Sequence, residues 1–266
     1  MERSAIAPPD METWVRRRRR AQKLLEHYPF AAQLLRLYRA LLDVQEPAFL
    51  NALSDRPDPS ALERYVAEHV MLPVVDVTVT VGPPSLAAAV LERIRAGNTA
   101  ALISEWLAGE GQPPVDTYLA RASAGPVLEA IGPPAPCSAP VSDGECPRCA
   151  GLPQVSYLSD AGAALVSGPR MLVCCRCSEN WTHQRMTCPG CGEQTTSKLP
   201  IFADVERLPH LRADACETCQ RYVITVDLRK DTAAVPIVDE LVALPLDLHA
   251  QERGFSKLVP NLMAIG

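Results

Sequence analysis

The most constraining feature of this 266-residue chain is a run of four Cys-x-x-Cys pairs between Cys146 and Cys219. The pairs are Cys146/Cys149, Cys174/Cys177, Cys188/Cys191 and Cys216/Cys219, and adding 42 to each cysteine of the first two pairs gives one of the last two. A fixed period of this size marks a duplicated supersecondary unit. Two cysteines separated by two residues sit on a tight turn that aims both sulfurs at one ion. A second such turn, returned by a hairpin, completes a tetrahedron of thiolates. The spacing therefore predicts two tetrathiolate sites, Cys146, Cys149, Cys174 and Cys177 in the first and Cys188, Cys191, Cys216 and Cys219 in the second.

Local residues favour that turn. In Cys188-Pro189-Gly190-Cys191-Gly192, proline fixes φ after the first ligand and Gly192 tolerates the left-handed conformation after the second. The first unit has Ala150 where glycine is expected, which predicts slight strain there. Cys174-Cys175-Arg176-Cys177 offers three thiols, and the period selects Cys174 and Cys177, leaving Cys175 as a spare: a small buried residue first, a thiol backing the site or a reactive one as alternatives. Cys137 is given no role. A disulfide framework is the competing reading. The N-terminal arginine run is followed by no apolar segment of a secretory signal, and hydrophobic residues make up 47% of the chain, enough for a core without disulfide staples. Four sulfurs suit zinc or a single rubredoxin-type iron equally. Arg148, Arg176 and Arg221 are placed to soften the charge of such centres, and His183 and His210 are read as surface or packing residues.

Residues 1–131 read as a helical domain. Leu24, Leu25 and Tyr28, then Leu35, Tyr38 and Leu42, recur at helical intervals, with Pro29 as a break. Further helices are predicted from near Ser60, over Leu86–Ala96 with Ser85 as cap, over Asn98–Leu107 and over Val115–Ala130. Val74–Val81 alternates like a strand. Arg16–Arg20 is read as the solvated side of the first helix, and His69 as a helix-surface residue. Four prolines within 132–145 mark a linker. The two metal modules then occupy 146–183 and 184–266. Strands are expected at Val155–Leu158, Arg170–Val173, Lys198–Ala203 and Arg221–Leu228, with Trp181 packed over those of the first module. A C-terminal helix, Ile237–Gln251, is interrupted at Pro245, and an irregular tail follows. The fold class is α+β: a helical N-terminal domain, two tandem rubredoxin-like or zinc-ribbon-like four-cysteine modules, and a C-terminal helix.

No phosphate-binding loop, nucleophile elbow or metallohydrolase signature is present, and a tetrahedral site closed by four thiolates leaves no position for substrate. A non-enzyme is expected. Residues 146–230 carry ten Lys and Arg against eight Asp and Glu, too little clustered basic charge for a nucleic-acid ribbon. No apolar run is long enough to cross a bilayer, so membrane insertion is not expected and a cytoplasmic location is.

The chain resembles the FdhE family of formate dehydrogenase accessory proteins. The resemblance is carried by Phe30–Arg39, by the four cysteine pairs with Ser178-Glu179-Asn180-Trp181 and Gln220-Arg221-Tyr222, and by Arg229-Lys230-Asp231, Asp239-Glu240-Leu241, Leu246-Asp247-Leu248 and Glu252-Arg253-Gly254-Phe255. Ala150, the additional Cys175 and the absence of a proline after Asn261 depart from the family pattern. The resemblance implies a cytoplasmic maturation factor that contacts the catalytic subunit of a molybdenum- or tungsten-dependent formate dehydrogenase. It also implies two mononuclear rubredoxin-type iron sites, with zinc as the alternative. A rubredoxin-like carrier donating electrons to that enzyme is the second reading, and a zinc-ribbon nucleic-acid binder the third.

Overall fold

The structure, a computed structural model, describes residues 11–109, 111–132, 142–159 and 168–263. Cys137 and most of the proline-rich stretch lie outside the described residues. The first half is helical: α1 (Met11–His27), α2 (Ala32–Asp55), α3 (Leu62–His69), α4 (Met71–Val81), α5 (Pro84–Arg95), α6 (Thr99–Ala108) and α7 (Pro114–Ile131). Pro29 ends α1 as expected, because its ring cannot continue the helix, and a 3-10 turn Pro29–Ala31 leads into α2. The Asp58 carboxylate accepts from the Ser60 backbone N–H at 2.8 Å and caps the turn that opens α3. Leu35, Leu37, Leu41, Phe49, Val66, Leu102 and Tyr118 are fully or nearly fully buried and fill the space between these helices. His69 is exposed and stacks on Tyr65.

Three sequence expectations are corrected in this half. Val74–Val81 is not a strand but the body of α4. Its buried residues, Met71, Val74, Val75 and Thr78, fall at three- and four-residue steps, and the Thr78 hydroxyl donates to the Val74 carbonyl at 2.6 Å, so packing overrides the β-branched preference. Ser85 does not cap α5; Pro84 occupies the first turn, where its missing N–H costs nothing. The arginine run is not uniformly solvated. Arg17 and Arg20 are buried, Arg16 and Arg19 exposed. Arg17 is bidentate to Glu129 of α7. The Arg20 guanidinium meets Asp239, 219 residues on, with Nε 2.9 Å and 3.0 Å from its two oxygens. Asp231 lies 2.8 Å from the same guanidinium, and His210 Nε2 lies 2.8 Å from Asp239. His210 and His183 are both buried packing residues.

The cysteine-rich half builds β1 (Pro153–Leu158), β2 (Arg170–Cys174), β3 (Asn180–His183), β4 (Ile201–Ala203), β5 (Leu211–Cys216), β6 (Arg221–Asp227) and β7 (Ser256–Lys257). Adding 42 carries β2 onto β5 and β3 onto β6, whereas the counterpart of β1, 195–200, holds a 3-10 turn, Thr196–Lys198, and β4 follows directly after it. The two antiparallel triplets are not separate. β1 pairs in parallel with β6, Val155 beside Ile224 and Leu158 beside Asp227, giving one sheet in the order β3-β2-β1-β6-β5-β4. The copies are thus joined head to tail, the first strand of one against the last of the other. Trp181 stands on β3 opposite Leu172 and donates its indole N–H to the Asp143 carbonyl at 3.0 Å.

After Pro236 the chain forms a one-turn helix α8 (Pro236–Asp239), a 3-10 turn, and α9 (Leu244–Glu252). The expected interruption falls at Ala243, with Pro245 in the first turn of α9. The tail is not irregular throughout. β7 pairs with Arg221 and Tyr222, and it buries Lys257 between Glu240 at 2.9 Å and Asp247 at 3.1 Å. The Tyr222 hydroxyl donates to Asp247 at 2.9 Å, Gln154 bonds Glu240, and Arg121 of α7 bonds Gln154. A buried polar chain therefore ties the helices, the sheet and the tail together.

Candidate metal centres

Each site is made of two knuckles, and the structure closes all four alike. The residue after the second cysteine of every pair is left-handed: Ala150 at φ 53°, Ser178 at 55°, Gly192 at 77° and Gln220 at 55°. This conformation turns the chain back so that Ala150 N–H bonds the Cys146 carbonyl at 2.8 Å and Gly192 N–H bonds that of Cys188 at 2.9 Å. It also aims amides at sulfur. The backbone N–H groups of Arg148, Arg176 and Gly190 donate to Cys146, Cys174 and Cys188 at 3.4, 3.3 and 3.3 Å. The arginines predicted to soften the charge do so with their backbones. The Arg176 side chain instead reaches the Trp106 carbonyl at 3.3 Å, and Arg148 lies 3.9 Å from Glu179. The sequence reading gives Ser178 and Gln220 no part in the turns, although the same offset of 42 relates them.

The two predicted quartets come together. In each, the four sulfurs lie within 4.8 Å of one another, and these are the two such groups among the described residues. In the first, Cys146–Cys177 is 3.7 Å, Cys149–Cys177 3.5 Å and Cys149–Cys174 3.3 Å. In the second, Cys188–Cys219 is 3.7 Å and Cys191–Cys216 3.6 Å. Four sulfurs about 2.3 Å from a central ion are about 3.8 Å apart along each tetrahedral edge. A disulfide would bring two of them to about 2.05 Å. The spacing fits an ion and excludes the disulfide reading for these eight residues. Cys175 stands outside the quartet, half-exposed.

Electrostatics agree with the donor set. Hydrogen bonds from its sulfur neighbours hold Cys146 far below the ordinary thiol range, and the same neighbours push Cys174 and Cys177 up. Such a cluster accepts a first negative charge readily and resists the next, a resistance that a bound dication removes. Gly151 belongs to the cradle: a Cβ there would stand 2.9 Å from Cys174 Sγ and 3.2 Å from Cys149 Sγ.

The sites differ in exposure. All four cysteines of the first are buried, at 2% or less. In the second, Cys191 is exposed and Cys219 half-exposed.

Fold and sites define a class: a helical domain carrying a duplicated four-cysteine ribbon inside one sheet, with two clusters able to hold a metal ion. Residues 186–264 match the family described as FdhE, C-terminal domain. "Protein FdhE homolog" of Aquifex aeolicus is 36% identical over 118 residues, 44% of this chain and 41% of that one. The homologue in Pseudomonas putida is 31% identical over 122 residues, 45% of this chain and 38% of the relative. The matched stretch thus spans well under half the length of these curated relatives. The crystal structure of the FdhE protein from Pseudomonas aeruginosa superposes with a TM-score of 0.68 over 97% of both chains at 23% identity, so the two share a fold. The resemblance to the FdhE family is borne out, in sequence over part of the chain and in fold over nearly all of it. Among the described residues no helix is long and apolar enough to cross a membrane.

Proposed function

We propose that this protein is a cytoplasmic accessory factor in formate dehydrogenase maturation. In this reading it binds the catalytic subunit of a molybdenum- or tungsten-dependent formate dehydrogenase and catalyses no reaction itself. Cys146, Cys149, Cys174 and Cys177 hold one ion, and Cys188, Cys191, Cys216 and Cys219 hold another. The family resemblance favours iron over zinc. The helical region to residue 131 and the two modules, 146–183 and 184–266, together form the docking body. The observation that carries the reading is the pair of closed tetrathiolate clusters in a fold shared with an FdhE protein. With four thiolates filling the tetrahedron, such a site organises structure or passes single electrons and leaves no position for activating water. Co-purification with the catalytic subunit, under reducing and anaerobic conditions, tests the proposal; absence of a complex contradicts it.

The exposure of Cys191 favours a second reading, a rubredoxin-like electron donor, because transfer needs a sulfur near the surface. A colourless protein holding zinc, or one without a reversible one-electron couple, removes it.

A further inference from the structure

Beside the exposed second site, a groove of about 110 Å³ is lined in part by its Cys188 and Pro189. Its walls include Met186, Leu199, Ile201 and Pro189, and its floor Arg170, Arg212, Asp214 and Thr187. Four features set it apart. Arg170 and Arg212 flank the single carboxylate of Asp214, at 3.3 Å and 2.8 Å, and Arg185 lines the same groove. Asp214 is already held by the Thr225 hydroxyl at 2.7 Å, and Arg185 donates to the Gly168 carbonyl at 3.2 Å. The Thr187 hydroxyl, in a residue only 8% exposed, has no partner among the described residues. Met186 is held at φ 58°, a conformation costly for a side chain, and so stands 49% exposed at the rim. Ile201, also 49% exposed, lies on β4, the terminal strand of the sheet. An edge strand presents unpaired backbone groups to any extended chain.

We infer that this end of the molecule is a docking surface for an extended segment of a partner polypeptide. The segment adds along β4, sets an acidic side chain against Arg185 and Arg212, and covers Met186 and Ile201 with aliphatic residues. Arginine excess beside an aliphatic rim selects an acidic and aliphatic segment, and a strand edge binds by main-chain hydrogen bonds with side chains in alternate pockets. The cavity, about 110 Å³, has room for one side chain. The nearby thiolate centre accounts for part of the positive charge, but it leaves the unpartnered hydroxyl and the exposed rim unexplained. The inference rests on the proposed binding to the formate dehydrogenase catalytic subunit and names the face that binding uses.

The test compares full-length, metal-loaded protein with its Arg185→Glu and Ile201→Asp variants, and with Arg64→Glu on α3 as a remote control. Each is titrated against the catalytic subunit encoded in the same genome, with metal content and thermal unfolding measured alongside. The expected result is at least a tenfold loss of affinity in the two groove variants, none in the control, and unchanged metal content. Equal binding by all four proteins overturns the inference while leaving client binding intact. No binding by the wild type overturns both. A wild-type dimer that Arg185→Glu and Ile201→Asp convert to monomer assigns the groove to a second copy of this chain and also overturns it.

Discussion

The first knuckle carries the clearest single-residue strain. Ala150 occupies the conformation that Gly192 occupies 42 residues later, at φ 53° against 77°. A left-handed alanine costs roughly 1–2 kcal/mol. Ala150→Gly is therefore expected to raise stability by about 1 kcal/mol, after the entropy glycine loses on folding, as read from the denaturation midpoint of the loaded protein. The next residue behaves oppositely. At Gly151 an added methyl would press on Cys174 and Cys149, so Gly151→Ala is expected to lower metal occupancy at the first site while sparing the second. Metal content per chain, with the second site intact as internal standard, checks this. Sequence alone shows why a glycine suits position 192. It gives no sign that Gly151 is needed for space, because that space is filled by sulfurs from elsewhere in the chain.

Among the elements, β7 is held by charge as well as by pairing. Lys257 is buried between Glu240 and Asp247, and removing it would leave two carboxylates buried and uncompensated. Lys257→Met is expected to cost about 3–5 kcal/mol, measured by chemical denaturation. Burial lowers the lysine's pKa, but the two carboxylates outweigh it and the net shift is upward from 10.5. The stabilisation it gives is then complete below pH 10.5 and is lost as pH rises through the higher folded value. Alkaline titration should unfold the wild type over that range, and Lys257→Met should lack this component. Little of the arrangement was legible beforehand. Pro29 and the helical stripes carry local signatures, and the break and the corresponding helices form where expected. β7 has two residues and no pattern of its own, and Val74–Val81, β-branched at nearly every step and alternating like a strand, gives no sign of the helix it forms. Arg17 and Arg20 look solvated until Glu129 and Asp239 come from far along the chain.

At the scale of the whole molecule, the period of 42 made the two four-cysteine quartets readable, since every sulfur comes from a short repeated turn. The joining of the two copies was not readable. A parallel contact between β1 and β6 depends on pairing residues 69 apart, Val155 with Ile224, and nothing in either strand announces its partner. The two sites also differ in exposure, the first sealed and the second open. A chelator is therefore expected to remove metal in two phases, first from the site with exposed Cys191 and half-exposed Cys219, then from the buried one. Loss of far-ultraviolet signal should accompany only the second phase, and Cys191→Ser should abolish the first. Release in one phase would contradict the difference in burial.

The central claim is that eight sulfurs hold two separate ions. X-ray absorption spectroscopy of anaerobically purified protein, with metal quantified per chain, tests it most directly. Two ions per chain are expected, each with four sulfur neighbours at about 2.3 Å and no nitrogen or oxygen scatterer. One ion per chain, a mixed ligand shell or a metal–metal distance short enough for a shared cluster would contradict the account.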